Sequence, residues 1–184
     1  KEFSLNIATT RGCPFKCNWC AKPIYGNRYN SRSPEKVVDE IEFLQRQYGV
    51  NYFWFCDDIF GLKPGWVQKF RDDAKSRNLK FRYKIQSRVD LLLKEDTIDA
   101  LAESGADIVW VGAESGSQKI LDAMDKGTTV EEIYSAVKLL KSKNIKVAFF
   151  LQFGYLGETK EDIDKTIQMV LDLMPDEIGI SVSY

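Results

Sequence analysis

The chain has 184 residues, of which 44% are hydrophobic, and its 26 basic residues are balanced by 27 acidic ones. This length and composition can build one substantial hydrophobic core, so we expect residues 1–184 to form a single domain. The balanced charge gives no indication of a strongly basic surface of the kind that binds nucleic acids or anionic membranes. No apolar run approaches the roughly 20 residues that span a bilayer.

The two chain ends and the cysteine usage suggest where the protein works. The chain begins without methionine, lacks a basic and then apolar leader before Phe3, and stops inside a strand-like run at Tyr184. We therefore expect a cytoplasmic protein and a segment of a longer chain. Cysteines in a chain without a secretory leader suit a reducing compartment.

Short apolar runs alternate with longer helical patterns along the sequence. Six runs have the length and composition of strands, namely residues 5–9, 52–56, 81–86, 107–112, 146–153 and 177–183. Helical patterns separate these runs, and such alternation is typical of βα units around a parallel sheet. Periodicity alone leaves both a doubly wound sheet and a partial barrel open.

Capping residues mark where several helices begin. Ser33 and Pro34 predict an N-cap and a first helical position, and Gly49 predicts the end of that helix. Residues 129–132 form a capping box that predicts a second helix start. Residues 159–162 predict the start of the last helix.

Polar residues follow four consecutive predicted strands. A cysteine-rich loop follows the first strand, residues 57–58 follow the second, residues 87–88 the third and residues 114–115 the fourth. In barrel enzymes, the chemistry gathers where strands end and βα loops begin. These residues therefore predict a functional site at that end of the sheet.

Three cysteines, Cys13, Cys17 and Cys20, lie within eight residues of one another. Thiolates select zinc, copper(I) or iron–sulfur clusters. A cubane cluster normally takes four thiolates, so three would leave one iron open for chemistry. Zinc is the alternative, but it prefers four nitrogen or sulfur ligands, and the chain offers no histidine and only the distant Cys56. We interpret Cys56 as a buried small hydrophobe.

The spacing C-x3-C-x2-C, preceded by Arg11 and Gly12 and with Trp19 before the third cysteine, resembles the motif of the radical S-adenosylmethionine (SAM) enzymes. The resemblance spans essentially the whole chain. It implies an α/β fold, a partial (β/α)6 TIM-like barrel with parallel strands and helices outside. It also implies a 4Fe-4S cluster on the three cysteines that cleaves SAM reductively to a 5'-deoxyadenosyl radical, with flavodoxin or ferredoxin as the electron donor.

The resemblance further implies residues that bind SAM. Trp19 would lie near the adenine, and one of Asp57 and Asp58 would hold the amino group. Glu114 would bind the ribose hydroxyls or the methionyl end, since a carboxylate accepts from two hydroxyls. Core packing for the tryptophan and helix capping for the aspartates are the structural alternatives.

Three more residues complete the predicted cofactor site. Ser115 follows Glu114 in the same element, and Gln152 lies within residues 150–159, which are similar to the family's strand near the adenine. Arg88 is a candidate for holding a carboxylate with its planar guanidinium. Helix capping for Ser115 and a surface salt bridge for Arg88 are the alternatives.

Residues 25–34 and the aspartate pair at residues 57–58 are similar to the cobalamin-associated radical SAM branch, which methylates unactivated carbons or closes rings. Membership implies cobalamin, bound by a domain outside this chain. A methylthiotransferase-type radical SAM enzyme, a noncatalytic iron–sulfur or zinc module, and a metal-free nucleotide-binding domain are the alternatives. The substrate, whether a small molecule, a protein or RNA, stays open.

Overall fold

The computed structural model of the protein describes residues 3–20 and 28–183. Its strands are β1 (Leu5–Ile7), β2 (Thr10–Arg11), β3 (Asn30–Ser31), β4 (Tyr52–Phe55), β5 (Arg82–Ser87), β6 (Ala106–Glu114), β7 (Lys146–Phe153) and β8 (Glu177–Val182). Its helices are α1 (Pro34–Tyr48), α2 (Trp66–Ser76), α3 (Val89–Leu92), α4 (Thr97–Ser104), α5 (Gln118–Ala123), α6 (Val130–Ser142) and α7 (Lys160–Leu173). Residues 25–27 of the cobalamin-like segment lie outside the described residues.

The six longer strands form one parallel sheet in the order β1-β4-β5-β6-β7-β8. Each strand therefore pairs with the next long strand along the chain, as βα units require. The six predicted strands and the parallel α/β architecture are confirmed. The barrel is partial, because β1 and β8 stand at opposite edges of the sheet among the described residues.

A two-stranded antiparallel pair was not predicted. β2 and β3 pair Thr10 with Ser31 and Arg11 with Asn30. β2 precedes the chain segment that contains the cysteines and β3 follows it, so their pairing brings the two ends of that segment together. Two-residue strands carry no periodicity in the sequence, which explains why the pattern did not reveal them.

The predicted helix starts are confirmed by their hydrogen bonds. The Ser33 side chain accepts from the Lys36 amide at the start of α1, and Gly49 ends that helix with a left-handed φ of 67°. Thr129 and Glu132 form the capping box of α6. A second capping box, made by Thr159 and Asp162, begins α7.

Side chains of the sheet alternate between a core face and a second face that borders the cavity described below. On β4, Phe53 and Phe55 are fully buried whereas Trp54 is 41% exposed. The Phe55 ring packs 5.2 Å from Phe60 and 5.9 Å from Phe70 of α2. Burying a side chain of this size contributes about 1.5–3 kcal/mol. The helices thus cover one face, and the other face is free to line a site.

The structure corrects one prediction about burial. Cys56, which we expected to be buried, is exposed. It follows β4 at a position equivalent to that of Trp54, and the pleat turns both side chains away from the core face.

None of the helices in the described ranges is long and apolar enough to cross a membrane.

Candidate active site

A cavity of about 450 Å³ lies where the carboxyl ends of the strands meet the cysteine loop. All three cysteines of the motif line it. Four other residues that the sequence predicted for the site also line it, namely Trp19, Asp58, Arg88 and Glu114. The sequence argument from strand ends therefore brought together seven of the ten predicted residues.

Asp57 fixes the entrance to the cysteine loop. Its carboxylate accepts hydrogen bonds from the Thr9 amide at 2.6 Å, the Thr10 amide at 2.9 Å and the Thr9 hydroxyl. The side chain is fully buried and is not among the residues that line the cavity. Burial raises the pKa of Asp57 from 3.8 to about 6, because the loss of water disfavours the charge more than the hydrogen bonds favour it.

Asp58, unlike Asp57, lies at the wall of the cavity. Its side chain lines the cavity, and its Oδ2 accepts a hydrogen bond from the Gly12 amide at 3.2 Å. Gly12 has a positive φ of 84°, which glycine adopts without steric cost, and it directly precedes Cys13. Of the two aspartates, Asp58 is the one placed to meet a ligand.

Arg88 connects the cysteine loop to the end of β5. Its Nη1 lies 3.8 Å from the Cys17 sulfur, and its guanidinium lies 3.8 Å from the centre of the Phe15 ring. Its Nε donates to Asp90 at 2.8 Å, and its Nη2 donates to the Lys126 carbonyl at 2.8 Å. Arg88 therefore does form an ion pair, in which the arginine is buried and Asp90 is partly exposed, and a carboxylate-binding role for it stays a prediction.

A buried ion pair lies at the end of β6. Lys126 Nζ donates to Glu114 Oε1 at 2.8 Å, and both side chains are almost fully buried. A β-bulge between Gly112 and Glu114 and a positive φ of 59° at Glu114 set the direction of the carboxylate. Such backbone strain in a residue other than glycine is concentrated at functional sites.

Lys126 was missed by sequence reasoning, although it lines the cavity. Its ammonium also lies 5.4 Å from the centre of the Trp19 ring, so the ion pair reaches the cysteine loop. A single lysine after a short helix belongs to no motif. The available signal was Glu114 itself, because a buried glutamate requires a partner.

The Trp19 indole N–H is buried and has no hydrogen-bond partner within the described residues. Leaving a buried donor unpaired costs about 1–3 kcal/mol. Trp19 also lines the cavity, so the unpaired donor belongs to a side chain that borders the candidate ligand site.

Ser115 and Gln152 are not among the residues that line the cavity. The Ser115 hydroxyl lies 3.2 Å from the Thr166 hydroxyl of α7 and accepts from the Ser117 amide. Gln152 Nε2 donates to the Ser183 hydroxyl at 2.5 Å. These contacts join secondary-structure elements, so a SAM contact for either residue stays a prediction.

Comparison with known proteins places this arrangement in a family. The sequence pattern of the radical SAM superfamily matches residues 7–170. This chain belongs to the radical SAM superfamily. The enzyme class predicted from the cysteine motif is thereby confirmed.

Similar proteins include two that are much longer than this chain. An uncharacterized methyltransferase of Pyrococcus horikoshii is 30% identical over 97% of this chain and 39% of its own length. The anaerobic magnesium-protoporphyrin IX monomethyl ester cyclase of Rubrivivax gelatinosus is 34% identical over 90% of this chain and 30% of its own length. The chain thus spans 39% of the first relative's length and 30% of the second's.

The fold is also shared with a solved structure. The radical SAM methyltransferase TsrM of Kitasatospora setae, solved with cobalamin and a 4Fe-4S cluster bound, superimposes with a TM-score of 0.85. The two proteins are 24% identical, and the match covers 96% of this chain and 34% of TsrM. This likeness confirms the partial TIM-like barrel predicted from the sequence.

Among the residues that the structure describes, no group of three or more Cys, Asp or Glu side chains is arranged to hold one metal ion.

The raised pKa of one cysteine thiol is consistent with a cationic group bound by all three cysteines. Burial raises the pKa of the Cys13 thiol, and the neighbouring Cys17 and Cys20 add to this rise. The three sulfurs are therefore close enough to repel one another as thiolates. A bound cationic iron–sulfur core would relieve that repulsion.

Proposed function

We propose that this chain is a radical SAM catalytic core in which Cys13, Cys17 and Cys20 hold a 4Fe-4S cluster. The observation that carries the proposal is that the three cysteines and the buried Glu114–Lys126 pair line the same cavity. When bound, the cluster supplies one electron for cleavage of SAM to methionine and a 5'-deoxyadenosyl radical.

The charged side chains of the cavity can pair with the charged and hydroxyl groups of SAM. SAM carries an amino group, a carboxylate and two ribose hydroxyls. Glu114 and Asp58 offer acceptor oxygens for the amino and hydroxyl groups, and the Lys126 ammonium offers donors for the carboxylate. The unpaired Trp19 N–H, beside the same cavity, adds one more donor.

Other residues fix the geometry of the site. Asp57 holds Thr9 and Thr10 at the entrance of the cysteine loop, and Arg88 spans from that loop to Lys126. Their contacts fix the positions of the cysteines relative to Glu114. Positioning of this kind matters because a misplacement of about 1 Å can cost about a hundredfold in rate.

We further infer a cobalamin-linked methyl transfer or ring closure. The Rubrivivax relative is named as a cyclase, the Pyrococcus relative as a methyltransferase, and TsrM was solved with cobalamin. A domain outside this chain would bind the cobalamin. The proposal includes flavodoxin or ferredoxin as electron donor in the cytoplasm, and a small molecule, protein or RNA as substrate.

The first test replaces each motif cysteine and compares it with a matched control. Cys13→Ser, Cys17→Ser and Cys20→Ser are expected to lose iron and 5'-deoxyadenosine formation after anaerobic reconstitution and dithionite reduction. Cys56→Ser, an exposed cysteine outside the motif, is expected to retain both. Equal iron content and turnover in all four variants would refute the ligand assignment.

The reaction product separates methyl transfer from methylthiolation. With the complete protein and a candidate substrate, mass spectrometry distinguishes the addition of CH2 from the addition of CH2 with sulfur. We expect a gain without sulfur, or the loss of hydrogens on ring closure. A sulfur-containing product would instead favour the methylthiotransferase.

A further inference from the structure

Two aromatic rings line the cavity and are not used by the proposed SAM contacts. Trp110 of β6 and Phe150 of β7 have ring centroids 4.7 Å apart and ring planes tilted by 32°. Both line the cavity, and Phe150 is 38% exposed. An exposed apolar ring inside a concave site is a typical contact surface for a ligand.

The neighbouring strand leaves space for these rings. Gly179 of β8 pairs in register with Phe150. A Cβ atom at Gly179 would lie 3.2 Å from Cζ3 of Trp110 and 3.4 Å from Cδ1 of Phe150. The glycine therefore lets both rings lie over β8, so that a continuous aromatic surface extends across three strands.

The rings lie deeper than the groups that we assign to SAM. Phe150 pairs with Gly112, whereas Glu114 pairs with the following residue, Leu151. Trp110 precedes Gly112 by two residues, which places its backbone about 7 Å further from the strand ends. The aromatic surface thus lies on the side of Glu114 away from the strand ends.

The polar groups around the cavity favour an uncharged ligand over an anionic one at this depth. Lys126 and Glu114 are paired with each other and are assigned to SAM, and Arg88 is paired with Asp90. Gln86 and Ser181, which also line the cavity, are neutral. An anionic group held against the negative faces of the aromatic pair would therefore lose water without gaining a partner.

We propose that Trp110 and Phe150 form a stacking platform that binds a planar, uncharged ring of the substrate. Aromatic faces prefer offset stacking on another flat ring, which contributes about 0.5–1.5 kcal/mol beyond the burial of area. This proposal rests on the proposed function, because a ring bound on the platform is a substrate only if the 5'-deoxyadenosyl radical forms in the same cavity.

The test measures binding of indole, a small planar probe, to the reconstituted protein with SAM present. Ligand-observed NMR titration compares Trp110→Leu, Phe150→Leu and Gly179→Ala with the wild type, and cyclohexylmethanol serves as a non-planar apolar probe. Loss of stacking predicts about threefold to tenfold weaker indole binding in the leucine variants. Cyclohexylmethanol binding is expected to change much less.

The matched control is Phe43→Leu, the same substitution at a 58% exposed position of α1. It is expected to bind indole like the wild type. Gly179→Ala keeps both rings but forces a Cβ against them, so it provides a second test if a leucine variant fails to fold. Indole binding that is unchanged in every folded platform variant would overturn the proposal.

Formation of 5'-deoxyadenosine in the same samples separates this proposal from the proposed function. The platform variants are expected to cleave SAM, without substrate, at rates close to the wild type. If they bind SAM weakly and cease to cleave it, the rings belong to the cofactor site and the platform is refuted. If the wild type fails to cleave SAM, the proposed function fails, while the indole titration still decides for or against the platform.

Discussion

At the end of β6, one glycine gives the Glu114–Lys126 pair the space that it occupies. A Cβ atom at Gly112 would lie 2.6 Å from Lys126 Nζ and 2.7 Å from Glu114 Oε1. Both atoms are the ends of flexible side chains, so they can move. A methyl group at this position would therefore displace the ion pair without disturbing the backbone around it.

We predict that Gly112→Ala weakens SAM binding by about tenfold or more, because contacts to charged groups contribute about 1.5–3 kcal/mol. Equilibrium dialysis with labelled SAM measures the change, and cluster content should stay at the wild-type level. In a Lys126→Met background, the same alanine should add little further loss. Full SAM affinity in Gly112→Ala would contradict the role of the pair.

Asp57 gives the protein a pH-dependent stability. Its pKa is about 6 in the folded protein, against its usual 3.8. Between these two values the folded state binds more protons than the unfolded state, so the free energy of unfolding falls as the pH rises from about 4 to about 6. The contribution is present in full below pH 4 and is lost above pH 6, and it amounts to about 3 kcal/mol at most.

We predict that Asp57→Asn removes this dependence. Urea unfolding of the cluster-free protein at pH 4, 5, 6 and 7 should show that the stability of the wild type relative to Asp57→Asn declines by up to about 3 kcal/mol across the range. Asp58→Asn, which alters the exposed neighbour, controls for the loss of one carboxylate. Parallel stability curves for wild type and Asp57→Asn would be evidence against a raised pKa.

At the scale of elements, helix α7 is tied to the turn after β6. The Gly116 amide donates to the Thr166 hydroxyl at 2.9 Å, and the Ser117 hydroxyl donates to Asp162 at 2.6 Å. Asp162 also accepts from the Thr159 amide and from Lys119, and these hydrogen bonds hold its pKa well below its usual range. The turn that presents Glu114 thus depends on where α7 lies.

We predict that Gly116→Ala lowers the free energy of unfolding by about 1–3 kcal/mol, the usual cost of overpacking. A Cβ atom there would lie 2.4 Å from the Lys165 carbonyl oxygen and 2.8 Å from the Thr166 Cα, which are backbone atoms that cannot turn aside. Urea unfolding measures the loss. A Gly116→Ala variant that is as stable as the wild type would contradict this account.

For the whole molecule, sequence patterns predicted the fold more completely than the site. The six apolar runs between helices and the capping residues Ser33 and Thr129 are local signals, and they correspond to the observed elements. The choice of a partial barrel instead of a doubly wound sheet came from the family resemblance, because periodicity describes each strand but not the curvature of the sheet.

The parts of the site that escaped prediction depend on contacts distant in sequence. Lys126 joins Glu114 across a helix, and Asp57 turns to Thr9 and Thr10, 48 and 47 residues earlier in the chain. Two adjacent aspartates after a strand point in different directions, and the pleat alone does not say which one meets the ligand. The cysteine spacing needed no such contacts and was readable directly.

The most direct test of the central claim is electron paramagnetic resonance of the anaerobically reconstituted, dithionite-reduced protein, recorded with and without SAM. We predict a reduced 4Fe-4S signal that SAM shifts, and a smaller shift in Glu114→Gln at the same SAM concentration. A folded protein that assembles no cluster, or a cluster signal that saturating SAM leaves unchanged, would contradict the assignment of this cavity as a radical SAM site.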